Sequence, residues 1–438
     1  MANLDTFLSY FVILCIFPAL LGISIYLSWR LKWPQLRSLG NALRNMLTDK
    51  KRKGEMSNFA AVAAIVGGNL GAGTIAGTAL AIATGGPGAI FWMVVIATLG
   101  SVVKLACASL GVFYQEKQHH DRCIGGPMFY IKKGISSHGM SLCYCVFLIG
   151  ASLTVGNLVQ THAFVYAFSD GNFVTQTLCA LLLAVPIAII LSGGLKRFVT
   201  FMSCGVPIMG IVYIIACLIG LYIMRDRLGS ALGEIFRGAF SLSSMGSGSA
   251  GIMLVRALRE GTSRGLFATD IGLGLAGIAH GSISNSQCSP EQHAREQGIT
   301  ALLAPILVAI LCFITGILIV CAAPNLNQDA SKICVDTFVA AFRTPRAGWL
   351  IPIIIYFFSF TTILAWAWFA EYTFFFLHRA RWRYYYRLLF IAMIPVGAFM
   401  DTSLPWTIAD ICIDGLLLTN LLAIFLLRHK VLSIHSAA

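Results

Sequence analysis

Apolar positions in this chain fall in long continuous runs. They show neither the alternation of a half-buried strand nor the one-sided stripe of a surface helix. A helix needs about 20 mostly apolar residues to cross hydrocarbon. Eleven runs meet or approach that length: 7–29, 58–82, 88–113, 139–168, 173–193, 199–223, 236–256, 298–322, 349–377, 387–402 and 404–427. The pattern predicts an all-α polytopic membrane protein with about 11 transmembrane helices. Three of the runs are irregular. The second holds GGNLGAGTIAG (67–77), although each glycine costs a helix roughly 1 kcal/mol relative to alanine. SLSSMGSGSAG (241–251) interrupts the seventh, and the tenth is short.

Backbone that leaves helical geometry inside a bilayer must be buried in protein or line a watery cavity. Breaks at matching places in two halves of a chain point to the midplane site of a secondary transporter built from inverted repeats. Half-helix N-termini then face a substrate carboxylate, and freed carbonyls hold a cation. For either stretch alone, close helix packing through Gly67/Gly71 and Gly73/Gly77 is the plainer reading. Both stretches together favour the transporter.

Composition agrees with a membrane protein. Of the 438 residues 58% are hydrophobic and 11% charged, where soluble domains carry about 25% charged; the mean hydropathy is +0.80. The net charge of +13 is topological and implies no nucleic acid partner. Arg30, Lys32, Arg37, Arg44, Lys50, Lys51, Arg52 and Lys53 follow the first run and mark that connection as cytoplasmic. Eleven spans then put the N-terminus outside and the C-terminus inside, as Arg428 and Lys430 also suggest. The first run lacks a basic leader and a small-residue cleavage site, so it reads as a retained span. Among the 13 cysteines, Cys15, Cys107, Cys179, Cys217 and Cys312 lie in apolar runs and read as free buried thiols. No CxxC pair or Cys/His array at zinc spacing occurs, so no metal is expected beyond a coupling Na+.

LGAGTIAGTALAIATGGPGAIFWM (70–93) resembles the signature of the alanine or glycine:cation symporter family, also called sodium:alanine symporters. The likeness continues through GGPMFYIKKGI (125–135), GNLVQ (156–160), SGGLKR (192–197), RGLFATDIGLG (264–274), IAH (278–280), QGI (297–299), FSFTTILAWAWFAE (358–371) and ADICIDGLLLTNL (409–421). It covers nearly the whole chain.

The resemblance implies a LeuT-like five-plus-five inverted repeat preceded by one extra helix. The parts would be 1–57, an N-terminal helix and basic connection; 58–428, the core, with repeats over about 58–224 and 230–428; and 429–438, a short cytoplasmic tail. It further implies import of alanine or glycine, D-alanine included, across a bacterial inner membrane, coupled to Na+ (or H+) by alternating access without an organic cofactor. Gly71, Ala72, Gly73 and Thr74 would form one wall of the substrate site and Gly246, Ser247 and Gly248 the opposing one, with Gln160 and Trp366 lining the pocket. Gly67, Leu70, Thr74, Thr361 and Thr362 would supply the cation site. Against that role, Thr361 and Thr362 could each bond back along their own helix.

The chain departs from the family pattern at several polar positions. More polar residues are usual at Ala72 and Thr74, Cys107 replaces a glutamate, His162 replaces an asparagine, and Leu307-Val308 replaces an Asp-Thr pair. Ala268-Thr269-Asp270-Ile271-Gly272 keeps acidity with a shorter side chain. Lys104 either finds another partner or snorkels toward headgroups, its long stem favouring the latter. His162 is a candidate proton carrier or a neutral interhelical imidazole. Arg264 and Asp270 read as a gating ion pair or as an ordinary loop pair. Trp382 and Tyr384–Tyr386, beside Arg379, Arg381 and Arg383, read as an interfacial belt.

Alternatives from other classes fare worse. No HExxH, nucleophile elbow or paired acidic metal motif in the spans supports an enzyme. Broken helices favour an occluded site over a channel's continuous pore. A proton-coupled or uncoupled transporter, or a non-transporting amino-acid sensor of the same fold, stays open. Oligomeric state is not legible in one chain.

Overall fold

The computed structural model describes residues 15–48, 56–117, 123–168, 171–240, 249–284, 288–378, 381–400 and 403–436. Apart from a two-residue antiparallel ribbon, Glu116–Lys117 with Cys123–Ile124, the regular structure is helical. In chain order the helices are α1 (Phe17–Arg30), α2 (Leu39–Leu47), α3 (Asn58–Asn69), α4 (Ala72–Gly85), α5 (Ala89–Phe113), α6 (Pro127–Gly134) and α7 (His138–Leu153). A π-turn, Thr154–Leu158, joins α7 to α8 (Val159–Phe168), followed by α9 (Phe173–Ser192), α10 (Gly194–Ile223) and α11 (Arg225–Phe240). The remainder are α12 (Ser249–Thr269), α13 (Leu275–His280), α14 (Pro290–Ala301), α15 (Leu303–Ala322), α16 (Ala330–Phe342), α17 (Leu350–Phe376), α18 (Trp382–Phe399), α19 (Ser403–Leu426) and α20 (Arg428–Ser436).

Among the described residues, seven helical segments are long and apolar enough to cross a membrane, and the bent pair α3–α4 makes an eighth. Three of the eleven expected spans fall outside that set. Residues 7–14 of the first lie outside the described residues. The stretch 236–256 is not one helix: α11 ends at Phe240, 241–248 lie outside the described residues, and α12 begins at Ser249. α18 opens on Trp382, Arg383 and Arg387 and is too polar on average.

α5 and α17 are apolar almost all round, which marks central helices. From Gly100 to Val112 and from Phe358 to Thr373 every residue is buried. α5 packs on α12, α14 and α15, while α3 packs on α10 and α17. α9 and α10 instead turn Leu178, Leu182, Val185 and Ile189, and Ile208, Ile211, Ile215 and Leu218, outward at helical spacing. Such a broad exposed apolar face is a lipid-facing surface.

The aromatic belt is smaller than expected. Trp382, Tyr384 and Tyr385 are exposed, but Tyr386 is buried, with its hydroxyl 2.9 Å from that of Ser152. Among the cysteines named above, Cys15 is exposed and the other four are buried free thiols.

Candidate functional site

The glycine-rich run does break its helix. Ser57 caps α3 by accepting a hydrogen bond from the Ala60 N–H at 3.1 Å. α3 stops at Asn69; Leu70 turns out of helical geometry, Gly71 is extended (φ −82°, ψ 179°), and α4 begins at Ala72. The break is therefore Leu70–Gly71, narrower than the expected Gly71–Thr74, and the two halves meet at 46°. The Thr74 hydroxyl donates to the Asn69 carbonyl that the break frees.

A second interruption closes α12. Asp270, Gly272 and Gly274 all have left-handed φ (47°, 88° and 87°). Three helices hold the carbonyls of this turn. Asn69 Nδ2 donates to the Thr269 carbonyl at 3.0 Å, Asn420 Nδ2 to that of Gly272 at 2.6 Å, and the Tyr144 hydroxyl to that of Leu273 at 2.7 Å. Asn420 accepts from the Tyr130 hydroxyl, and its Nδ2 also lies 3.3 Å from Cys107 Sγ. Cys107 thus joins a polar network that positions the turn.

A small, narrow cavity lies where the two breaks face each other. Gly68, Asn69, Gly71, Gly73 and Thr74 supply one wall, Phe267 and Asp270 another. Val155 and Gln160 come from the π-turn and α8, and Thr362 and Trp366 from α17. Gly71 is needed for close approach, since a Cβ there would stand 2.6 Å from Gln160 Oε1 and 3.0 Å from Thr362 Oγ1. Gly156, inside the π-turn, is needed likewise, because a Cβ would stand 2.4 Å from that of Trp366. The extra residue of a π-turn displaces the backbone locally, a feature common at functional sites. Here the turn seats the indole of Trp366.

The adjacent threonines behave differently. Thr362 Oγ1 donates across to the Gly67 carbonyl at 3.0 Å, whereas Thr361 Oγ1 donates back to Phe358 of its own helix, also at 3.0 Å. Leu70 is buried beside the break. For Ala72 only the backbone is described, as the first residue of α4. Gly246, Ser247 and Gly248 lie outside the described residues.

Two readings fail on geometry. Lys104 does not snorkel: it is 1% exposed, and its Nζ has no hydrogen-bond partner. Asp270 Oδ2, in the cavity wall, likewise lacks a hydrogen-bond partner, and no direct ion pair joins the two. Arg264 approaches Glu260, one turn back on its own helix at 4.0 Å, and not Asp270. His162 is half-buried, stacks on Tyr166 at 5.9 Å and does not line the cavity.

Three lining side chains, Asn69, Val155 and Phe267, were not singled out in the sequence. Asn69 was visible as the lone amide in GGNLG, and only its bond to Thr269, 200 residues away, gives it meaning. Phe267, which packs on Gly73, carried no signal beyond its motif.

Residues 2–437 match the sodium:alanine symporter family. The chain belongs to that family. It is 30% identical over 430 residues to a sodium/alanine symporter of Methanococcus maripaludis, covering 94% of this chain and 92% of that one. It is 31% identical over 417 residues to an uncharacterized transporter of Haemophilus influenzae, covering 94% and 90%. A manganese transporter mutant of Eremococcus coleocola shares its fold (TM-score 0.56, 87% and 81% covered), with 13% identity, a likeness of fold alone. As a member of the sodium:alanine symporter family with many apolar helices, the chain is a multi-pass membrane transporter and not an enzyme.

Proposed function

We propose that this protein imports small neutral amino acids, alanine and glycine foremost, coupled to Na+ by alternating access. The observation that carries the reading is the cavity at Leu70–Gly71. There the N-terminus of α4, which no side chain caps, suits a substrate carboxylate, and Gln160, Phe267 and Trp366 bound a narrow space that favours a short side chain. The Gly67 carbonyl and Thr362 hydroxyl are neutral hard oxygens of the kind Na+ accepts. With Leu70, Thr74 and Thr361 they form the proposed cation set, and Gly71, Ala72, Gly73, Thr74, Gln160, Trp366 and Gly246–Gly248 the substrate set. The eleven-span count, the LeuT-like five-plus-five repeat, the division at 57 and 428 and an outside N-terminus belong to the same reading.

A proton as driver is the second reading. Asp270 favours it, because a buried carboxylate in the cavity wall whose Oδ2 lacks a hydrogen-bond partner is a group able to exchange a proton. His162 does not line the cavity and adds no support to it.

The deciding experiment is uptake of labelled alanine and glycine into proteoliposomes under separate sodium and proton gradients. Saturable uptake driven by sodium alone is expected. Uptake driven only by protons selects the second reading. Binding without uptake, from folded protein, selects a sensor and ends the transport proposal.

A further inference from the structure

No Cys/His array at zinc spacing occurs along the chain, yet the start of α14, just before the QGI stretch, brings together a mixed ligand set. Ser289 caps α14 by accepting from the Gln292 N–H at 3.2 Å, and Pro290 opens the helix. The cap turns Cys288 back over the first turns of α14. His293 and Glu296 lie three apart, on one helix face. Cys288 Sγ, a ring nitrogen of His293 and a carboxylate oxygen of Glu296 all lie within 4.8 Å of one another. The Cys288 thiol forms no disulfide. None of the three lines the cavity at Leu70–Gly71.

The surroundings orient these groups as ligands. His293 is buried, with Nε2 3.1 Å from the Ile283 carbonyl. A carbonyl can only accept, so Nε2 carries the proton and Nδ1 presents its lone pair. Metal-binding histidines are held in this way, with the second nitrogen donating to a carbonyl or carboxylate. Glu296 Oε1 accepts from Gln292 Nε2 at 3.3 Å, which steadies the carboxylate. One sulfur, one imidazole nitrogen and one carboxylate oxygen form a set that Zn2+ takes up, with ligand bonds of about 2.0–2.3 Å. Mg2+ and Ca2+ prefer oxygen alone.

We propose that Cys288, His293 and Glu296 form a binding site for one zinc-class divalent cation, with a fourth position open to water. The cation ties the residues before α14 to its second turn. That helix also holds Lys430 of α20 through Glu291 (3.8 Å), and through Gln297 Nε2 it reaches Asn58 Oδ1, at the start of the broken helix (2.6 Å).

Cobalt titration of the full chain in detergent tests the site. Cobalt should bind at one per chain and give a thiolate-to-cobalt charge-transfer band. Cys288→Ser should abolish the band, and Glu296→Gln should keep it. Either change should weaken zinc binding by at least the 10–100-fold typical of losing an outer-shell partner. Zinc should raise the melting temperature of the parent chain but not of Cys288→Ser, with the metal-free melting points of all three alike. Absence of the band in folded parent protein overturns the proposal. So does a band that survives Cys288→Ser, which would assign the metal to another cysteine, or an equal rise in melting temperature in both chains.

Discussion

Gly71 and Thr362 show how little side chain the cavity tolerates and how it is wired. Alanine at 71 would push its methyl against the Gln160 amide and the Thr362 hydroxyl. Gly71→Ala should raise the KM for alanine about tenfold, roughly 1.4 kcal/mol, at near-normal melting temperature. Adding Gln160→Ala should recover part of the loss, because the clash is with a movable side-chain end. Thr362 reaches a carbonyl of another helix and Thr361 one of its own. Thr362→Val should therefore raise the sodium concentration for half-maximal uptake about tenfold, in line with roughly 1–1.5 kcal/mol for one hydrogen-bonding oxygen. Thr361→Val should have the smaller effect. A reversed ranking, measured as uptake against sodium concentration, would move the proposed ion site toward Thr361. Both threonines were legible as a pair in the sequence. Which of them crosses to Gly67 was not, because a rotamer choice of that kind depends on the distance to a helix 295 residues earlier.

At the scale of elements, α17 connects most of the machinery. It supplies Thr362 and Trp366 to the cavity and, in its last two turns, Glu371, the last residue of the FSFTTILAWAWFAE motif. Glu371 is buried and receives both arms of Arg387 on α18, at 2.5 Å and 2.8 Å. A bidentate pair of this kind is costly to break from one side, since the remaining carboxylate stays buried with only the more distant Arg383, at 3.9 Å, to balance it. Arg387→Ala should destabilise the fold by less than the about 3–5 kcal/mol of a fully buried pair, because Arg383 also approaches Glu371 at 3.9 Å, and the loss is read as a lower melting temperature in detergent. Replacing both partners with Met should cost less than Arg387→Ala alone. If the double change proves worse, the pair stabilises by more than mutual compensation. The motif drew attention through its threonines and tryptophan. The role of its glutamate appeared only when α18 folded back on it.

For the whole molecule, the prediction concerns orientation. The basic residues after the first span and at Arg428 and Lys430 should share the cytoplasmic side, and the Lys430–Glu291 contact brings α14 to that same end. A green fluorescent reporter fused after α20 should therefore fluoresce in cells, since it matures only in the cytoplasm. A dark reporter on full-length, membrane-inserted protein would invert the topology. Apolar runs, charge bias and two glycine- or serine-rich interruptions were enough, unaided, to imply a helical membrane protein and the location of its first break. Hydropathy and backbone propensity are local properties, written within some 20 residues of each other. The tertiary structure alone decided two things: that Lys104 is buried and does not reach the headgroups, and that Asn69, Asn420 and Tyr144 converge on the turn after α12. Each depends on which helix packs on which, and burial, not spacing, then determines where a charge or a ligand atom must point.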